Sequence, residues 1–243
     1  MSALPTSSGQ DHDADTLDNG QHEALVEPNF ERREDVIRAA RQLAEQAWVD
    51  SGQWNEVRIN PAELGQFYGC DIYLASINPP NVPPDSPDYK NSLLRKAANS
   101  DTPVITIEQN DRPERQRFSM AHEIGHLMWY KANMTPEAFR AVPIGGVGRR
   151  ARNRPQKDED YFEDSTKQRE YFADMFAHMF LLPNSIVANL VDRDITDIDM
   201  KAEAERLMVS EETLNNRLYY YCLEVADKAG LFEMEKENIK SAE

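Results

Sequence analysis

His122-Glu123-Ile124-Gly125-His126 sets two imidazoles four residues apart around a glutamate, a spacing that brings the rings together only on a helix. Residues i and i+4 of a helix share one face, so both rings can reach a single metal ion. Glu123 lies about a hundred degrees round the axis, where it can approach a water on that ion without itself ligating. Zinc lowers the pKa of such a water toward neutrality, and a carboxylate in that place accepts its proton as the oxygen attacks a carbonyl. His122 and His126 are therefore candidate metal ligands, and Glu123 is the candidate general base. Phe118, Met120, Ala121, Ile124, Leu127, Met128 and Trp129 surround the motif, which calls for a buried helix. Gly125 costs about 1 kcal/mol against alanine in a helix. A second backbone or a substrate is therefore expected to press against it.

A catalytic zinc site takes three protein ligands and keeps a fourth position for water. Residues 169–183 read as a helix of mostly apolar residues stopped by Pro183. At 3.6 residues per turn, Glu170, Ala173, Asp174, Ala177 and Leu181 form one stripe, while Phe172, Met175, Phe176, Met179 and Phe180 cover the other faces. A carboxylate on such a helix is expensive unless paired or metal-bound. Glu170 is thus the candidate third ligand. Asp174, one turn on, suits an acceptor for the N–H of a ligating histidine. The alternative is an exposed acidic pair at the helix start, stabilised by the helix dipole. Two imidazoles and a carboxylate suit zinc, with manganese an alternative occupant.

R-F-S-x-A-H-E-x-G-H over residues 117–126, followed by E-x-x-A-D-x-F-A-x-x-x-L-L-P over residues 170–183, resembles the ImmA/IrrE metallopeptidases. The later Val209-Ser210 and Arg217-Leu218 resemble that family's C-terminal helical segment, so the likeness runs over about residues 35–222. It implies a compact zincin-like protease whose substrate is a helix-turn-helix transcriptional repressor, cut in response to DNA damage or a related signal. It implies the same site as well: His122, His126 and Glu170 on the metal and Glu123 as base. Two departures stand out. Many relatives carry asparagine where this chain has Asp174, and the stretch between the two motifs is long for the family.

Net charge of −16 argues against general DNA binding, which depends on neutralising phosphates. It suits a partner that is itself basic. Residues 1–30 hold six acids, no Lys or Arg and few large apolar side chains, the composition of a disordered tail. The chain start lacks the basic and apolar regions of a signal peptide, and no apolar run approaches the ~18 residues of a membrane span. Cys70 and Cys222 are too few for a disulfide framework. A cytoplasmic protein that touches neither nucleic acid nor membrane is expected.

The remaining segments give an α+β order, strands early and helices late. Residues 31–49 show amphipathic helical spacing, Asn60-Pro61 opens a short helix to Tyr68, and residues 71–77 alternate like a strand. Residues 78–87 hold five prolines and must be an irregular loop. Residues 93–98 and 104–108 read as strands of a small sheet about a turn at Asn99-Ser100-Asp101. Residues 200–208 and 211–223 read as two helices joined at Val209-Ser210, like a helix-turn-helix. The second carries Glu211 and Glu212 with Arg217 as its one cation, poor equipment for a major groove. We expect it to pack or to recognise protein. The expected organisation is a tail over 1–30, a metallopeptidase domain over 31–190, a helical subdomain over 191–226 and a charged tail over 227–243.

Between the two motif helices, Arg149, Arg150, Arg152, Arg154 and Lys157 precede Asp158, Glu159, Asp160, Glu163 and Asp164. With the glycine-rich start at Ile144, residues 144–164 read either as a solvated linker or as a rim over the cleft. Tyr161, Tyr171 and His178 are the nearby candidates for stabilising an oxyanion, and none is singled out. Two functions remain: an endopeptidase that cuts a repressor, or a non-proteolytic antitoxin-like protein that sequesters its partner. Glu123 favours the first, because a pure binder has no use for a base there.

Overall fold

A computed structural model describes residues 30, 32–53, 56–97, 100–133, 165–192 and 198–228. The acidic tail up to residue 29, Asn99 of the expected turn, the charge-switched segment 144–164 with Tyr161, and the tail beyond residue 228 lie outside the described residues. The elements run α1 (Arg33–Asp50), α2 (Pro61–Phe67), β1 (Asp71–Ala75), β2 (Ser92–Lys96), β3 (Pro103–Glu108), α3 (Pro113–Asn133), α4 (Ser165–Leu181), α5 (Asn184–Val191), α6 (Met200–Leu207) and α7 (Glu211–Lys228). The class is α+β, as the order of elements implies.

The three strands lie in the order β1-β3-β2, with β1 parallel and β2 antiparallel to β3. All six residues of β3 are buried, because Val104, Ile105 and Ile107 sit between two neighbours. The edge strand β1 leaves Tyr73 and Leu74 exposed. Strand β1 is shorter than its alternation suggests. The N–H groups of Ile77 and Asn78 turn to the carboxylate of Glu108, at 2.8 and 3.2 Å, instead of continuing the ladder. That carboxylate also accepts from the Asn78 side chain and from the backbone and side chain of Asn110. It therefore ties the start of the proline loop to the turn after β3; the loop holds neither helix nor strand. Helix α2 opens as expected, with the Asn60 side chain accepting from the Ala62 N–H and Pro61 at the first position.

Helices α3 and α4 lie antiparallel at the centre of the core. Trp129 of α3 meets Phe172 of α4 edge-on, at 4.9 Å between ring centres, and Phe30 also packs on Trp129, its ring tilted. Gly125 explains how closely the helices approach. A β-carbon there would lie 3.0 Å from Ala173 Cα and 3.2 Å from Phe176 Cβ. Its neighbour is a second helix rather than open substrate space. Helix α1 packs against α4 and buries Ala40, Ala44 and Ala47.

Two arginines, Arg217 buried and Arg117 half-buried, bind the C-terminal helices to this core by capping helix ends. Arg217 of α7 donates from Nε to the Leu182 carbonyl at 2.9 Å and also bonds the Asn184 side chain. Arg117, at the start of α3, donates to the carbonyls of Leu207 and Met208 at the end of α6 and to that of Ile59. Arg217 is 1% exposed. The one cation expected on the face of that helix is thus a strut, unavailable to a DNA groove. Ser210 accepts the Thr213 N–H and begins α7, which runs five residues beyond its expected end. No helix among the described residues is long and apolar enough to cross a membrane.

Candidate metal centre

The antiparallel register of α3 and α4 sets their side chains face to face over three turns. His126 meets Glu170, His122 meets both Glu170 and Asp174, and Phe118 meets His178. The Nε2 atoms of His122 and His126 are 3.0 Å apart, and the Glu170 oxygens lie 3.4 and 3.3 Å from them. An ion held tetrahedrally at about 2.1 Å from each donor requires donors roughly 3.4 Å apart. The triangle therefore has the size that zinc needs. The donor chemistry agrees. His122 Nδ1 stands 2.9 Å from Asp174 Oδ1; the carboxylate accepts the Nδ1–H, so the neutral ring presents its Nε2 lone pair to the centre.

The electrostatics are those of a buried cation site. Burial alone would pull the pKa of His122 down, but the carboxylates of Asp174 and Glu170 outweigh it and push it up to about 9. Burial raises that of Glu170, and the two histidines outweigh it, holding the carboxyl well below the ordinary range. Both effects mark a spot where positive charge is favoured. Neither acid has the free, solvent-facing position of an ordinary first-turn pair.

Glu123 is completely buried. Burial pushes its pKa upward against the pull of the two histidines and of one hydroxyl. That hydroxyl is Ser92 Oγ, which donates to Oε1 at 2.6 Å from the start of β2. Oε2 has no hydrogen-bond partner among the described residues. Nothing in the sequence marked Ser92, a single serine 31 positions from the glutamate it touches. Only the seating of β2 on α3 reveals it.

The other side chains considered near the motif go elsewhere. The hydroxyl of Tyr171 accepts from Arg33 Nε at 2.6 Å, turned toward α1 and α7. His178 follows Glu170 by eight residues, about 12 Å of helix rise along α4. It stands edge-on to Phe118, 5.0 Å between ring centres. There it lines a cavity of about 610 Å³ with Asn91, Asp111, Phe118, Asp174 and Thr213.

The contact between Asp174 and His122 gives a direct expectation. Asp174→Ala should lower zinc affinity about 10–100-fold, because a ligand histidine loses the partner that orients it. Asp174→Asn retains an acceptor oxygen and should lose less. Competition against a chelating dye measures both. An alanine variant that holds zinc as tightly as the wild type would show that Asp174 does not orient the ring.

A family model described as the IrrE N-terminal-like domain, Peptidase_M78, matches residues 84–219, a span that contains the triangle, Glu123, Asp174 and Ser92. No curated protein matches the chain. Eight solved chains match. One is a Mycobacterium tuberculosis transcriptional regulator, 14% identical, over 75% of this chain and 46% of its own, with a TM-score of 0.43. The chain thus spans less than half the length of that protein.

Proposed function

The chain belongs to the Peptidase_M78 family, whose model covers more than half of it, and we propose that it is a zinc-dependent, zincin-type endopeptidase that cuts a helix-turn-helix repressor. The observation that carries this is the triangle of His122, His126 and Glu170 beside a buried carboxylate with one bare oxygen. Those three residues would hold the ion, which supplies Lewis acidity and brings the pKa of a water at its open position toward neutrality.

The protein's own groups do the rest. His122 and His126 direct their Nε2 lone pairs to one point, with Asp174 fixing the first ring. Glu123 accepts the proton of the attacking water on Oε2 and returns it to the amine nitrogen of the cleaved peptide bond. Its raised pKa suits that exchange, since a base works best when its pKa lies near the working pH. Complete burial of His122 and Glu123 keeps bulk water from both.

The family resemblance and the net charge of −16 support a basic DNA-binding protein as substrate, since opposite charge speeds encounter. The test is to incubate the zinc-loaded chain with a small helix-turn-helix protein encoded by a neighbouring reading frame. Mass spectrometry should find two fragments from a single cut, and a chelator should prevent it. An intact partner held in a stoichiometric complex would favour sequestration instead.

A further inference from the structure

We propose that Ser92 is a positioning residue for Glu123, its hydroxyl holding one carboxylate oxygen so that the other faces the attacking water. The proposal rests on the peptidase reading above. Its basis is a contrast between two buried carboxylates in the same molecule. Glu108 is 1% exposed and receives five donors, two from Asn78, two from Asn110 and one from Ile77. Glu123 is 0% exposed and, among the described residues, receives one, from Ser92. Glu108, which ties β1 to the turn after β3, is satisfied on both oxygens, and an unmet buried acceptor is costly. Glu123 is anchored at one oxygen and bare at the other.

The anchor itself is held firmly. The 2.6 Å separation is that of a hydroxyl donating to a charged oxygen. Ser92 pairs with Ile107 of β3 in the antiparallel ladder. Its neighbour Asn91 accepts the Glu108 N–H through its carbonyl at 2.8 Å and donates from its side chain to Asp111 at 2.8 Å. The serine backbone is therefore tied on both sides, and the hydroxyl needs no rearrangement to meet Glu123. Such fixed support is what keeps a reacting group within a few tenths of an ångström of its working place.

Acetohydroxamic acid tests this without any peptide substrate. It chelates zinc through its two oxygens, and its O–H proton passes to a nearby base, here Glu123 Oε2. Calorimetric titration of the zinc-loaded chain should show Ser92→Ala binding the probe about tenfold more weakly at unchanged zinc content, the loss of one charge-assisted hydrogen bond. Ser92→Cys fills nearly the same volume but donates poorly, so it should weaken binding similarly and decides the matter should the alanine variant misfold. Glu123→Gln should weaken binding at least as much, and adding Ser92→Ala to it should have no further effect. Wild-type affinity in both serine variants, with Glu123→Gln weakened, would overturn the positioning role and leave the peptidase reading intact. Loss of zinc from the serine variants would also overturn it, since Ser92 would then hold the site together and not the base. Unchanged affinity in Glu123→Gln would overturn the peptidase reading and the Ser92 proposal with it.

Discussion

Glu123→Gln is expected to retain the fold and the zinc but to cut the partner about 10²–10⁴-fold more slowly, the usual contribution of a general base. The amide matches the carboxylate in size and can still bond the Ser92 hydroxyl, yet it cannot take a proton from water. Stability should not fall, because a neutral amide is cheaper to bury than the charged group it replaces. The wild type should also lose activity on the acid side, as Glu123 becomes protonated. Burial raises its pKa, so that loss begins nearer neutrality than an ordinary carboxylate would give. In Glu123→Gln this acid limb should disappear from the residual rate. Rates measured on the partner repressor across pH check both points. A variant that cuts at the wild-type rate would remove Glu123 from the mechanism, whereas two proteins that bind equally and never cut would indicate sequestration.

The second large effect concerns the metal. Elemental analysis should find about one zinc ion per chain, the stoichiometry of a three-ligand site with an open position. His126→Ala and Glu170→Ala should each lose roughly 70- to 900-fold in affinity. Four-ligand zinc sites are worth about 10–16 kcal/mol, so one ligand accounts for roughly 2.5–4 kcal/mol. The ion joins α3 to α4, so a chelator should also lower the thermal midpoint of the wild type by removing a ligand of the native state. Loading should depend on pH. Without metal, His122 keeps its extra proton up to about pH 9 because Asp174 and Glu170 outweigh its burial. Each bound ion displaces that proton, so affinity should rise about tenfold per pH unit up to there and then level off. Zinc binding by Glu170→Ala as tight as in the wild type would mean that another residue is the third ligand.

What the sequence determined by itself is local. The four-residue spacing of His122 and His126 settles that the rings share a face, because helix geometry does so wherever the helix sits. An acid inside an apolar helix was legible for a similar reason: burial makes an unpaired carboxylate so costly that Glu170 needed a partner. The α+β order and the cap at Asn60 also follow from short-range pattern. The tertiary structure decided which groups meet. Gly125 against Ala173 lets α3 and α4 approach closely enough for Glu170 and Asp174 to reach the histidines. The same packing carries Tyr171 toward Arg33, sets His178 edge-on to Phe118 and buries Arg217 as a helix cap. Ser92 reached Glu123 only because an edge strand lies across the motif helix. Such contacts join residues dozens of positions apart, and no short-range periodicity encodes them. They follow from how whole elements exclude water together, and that is a property of the packed chain.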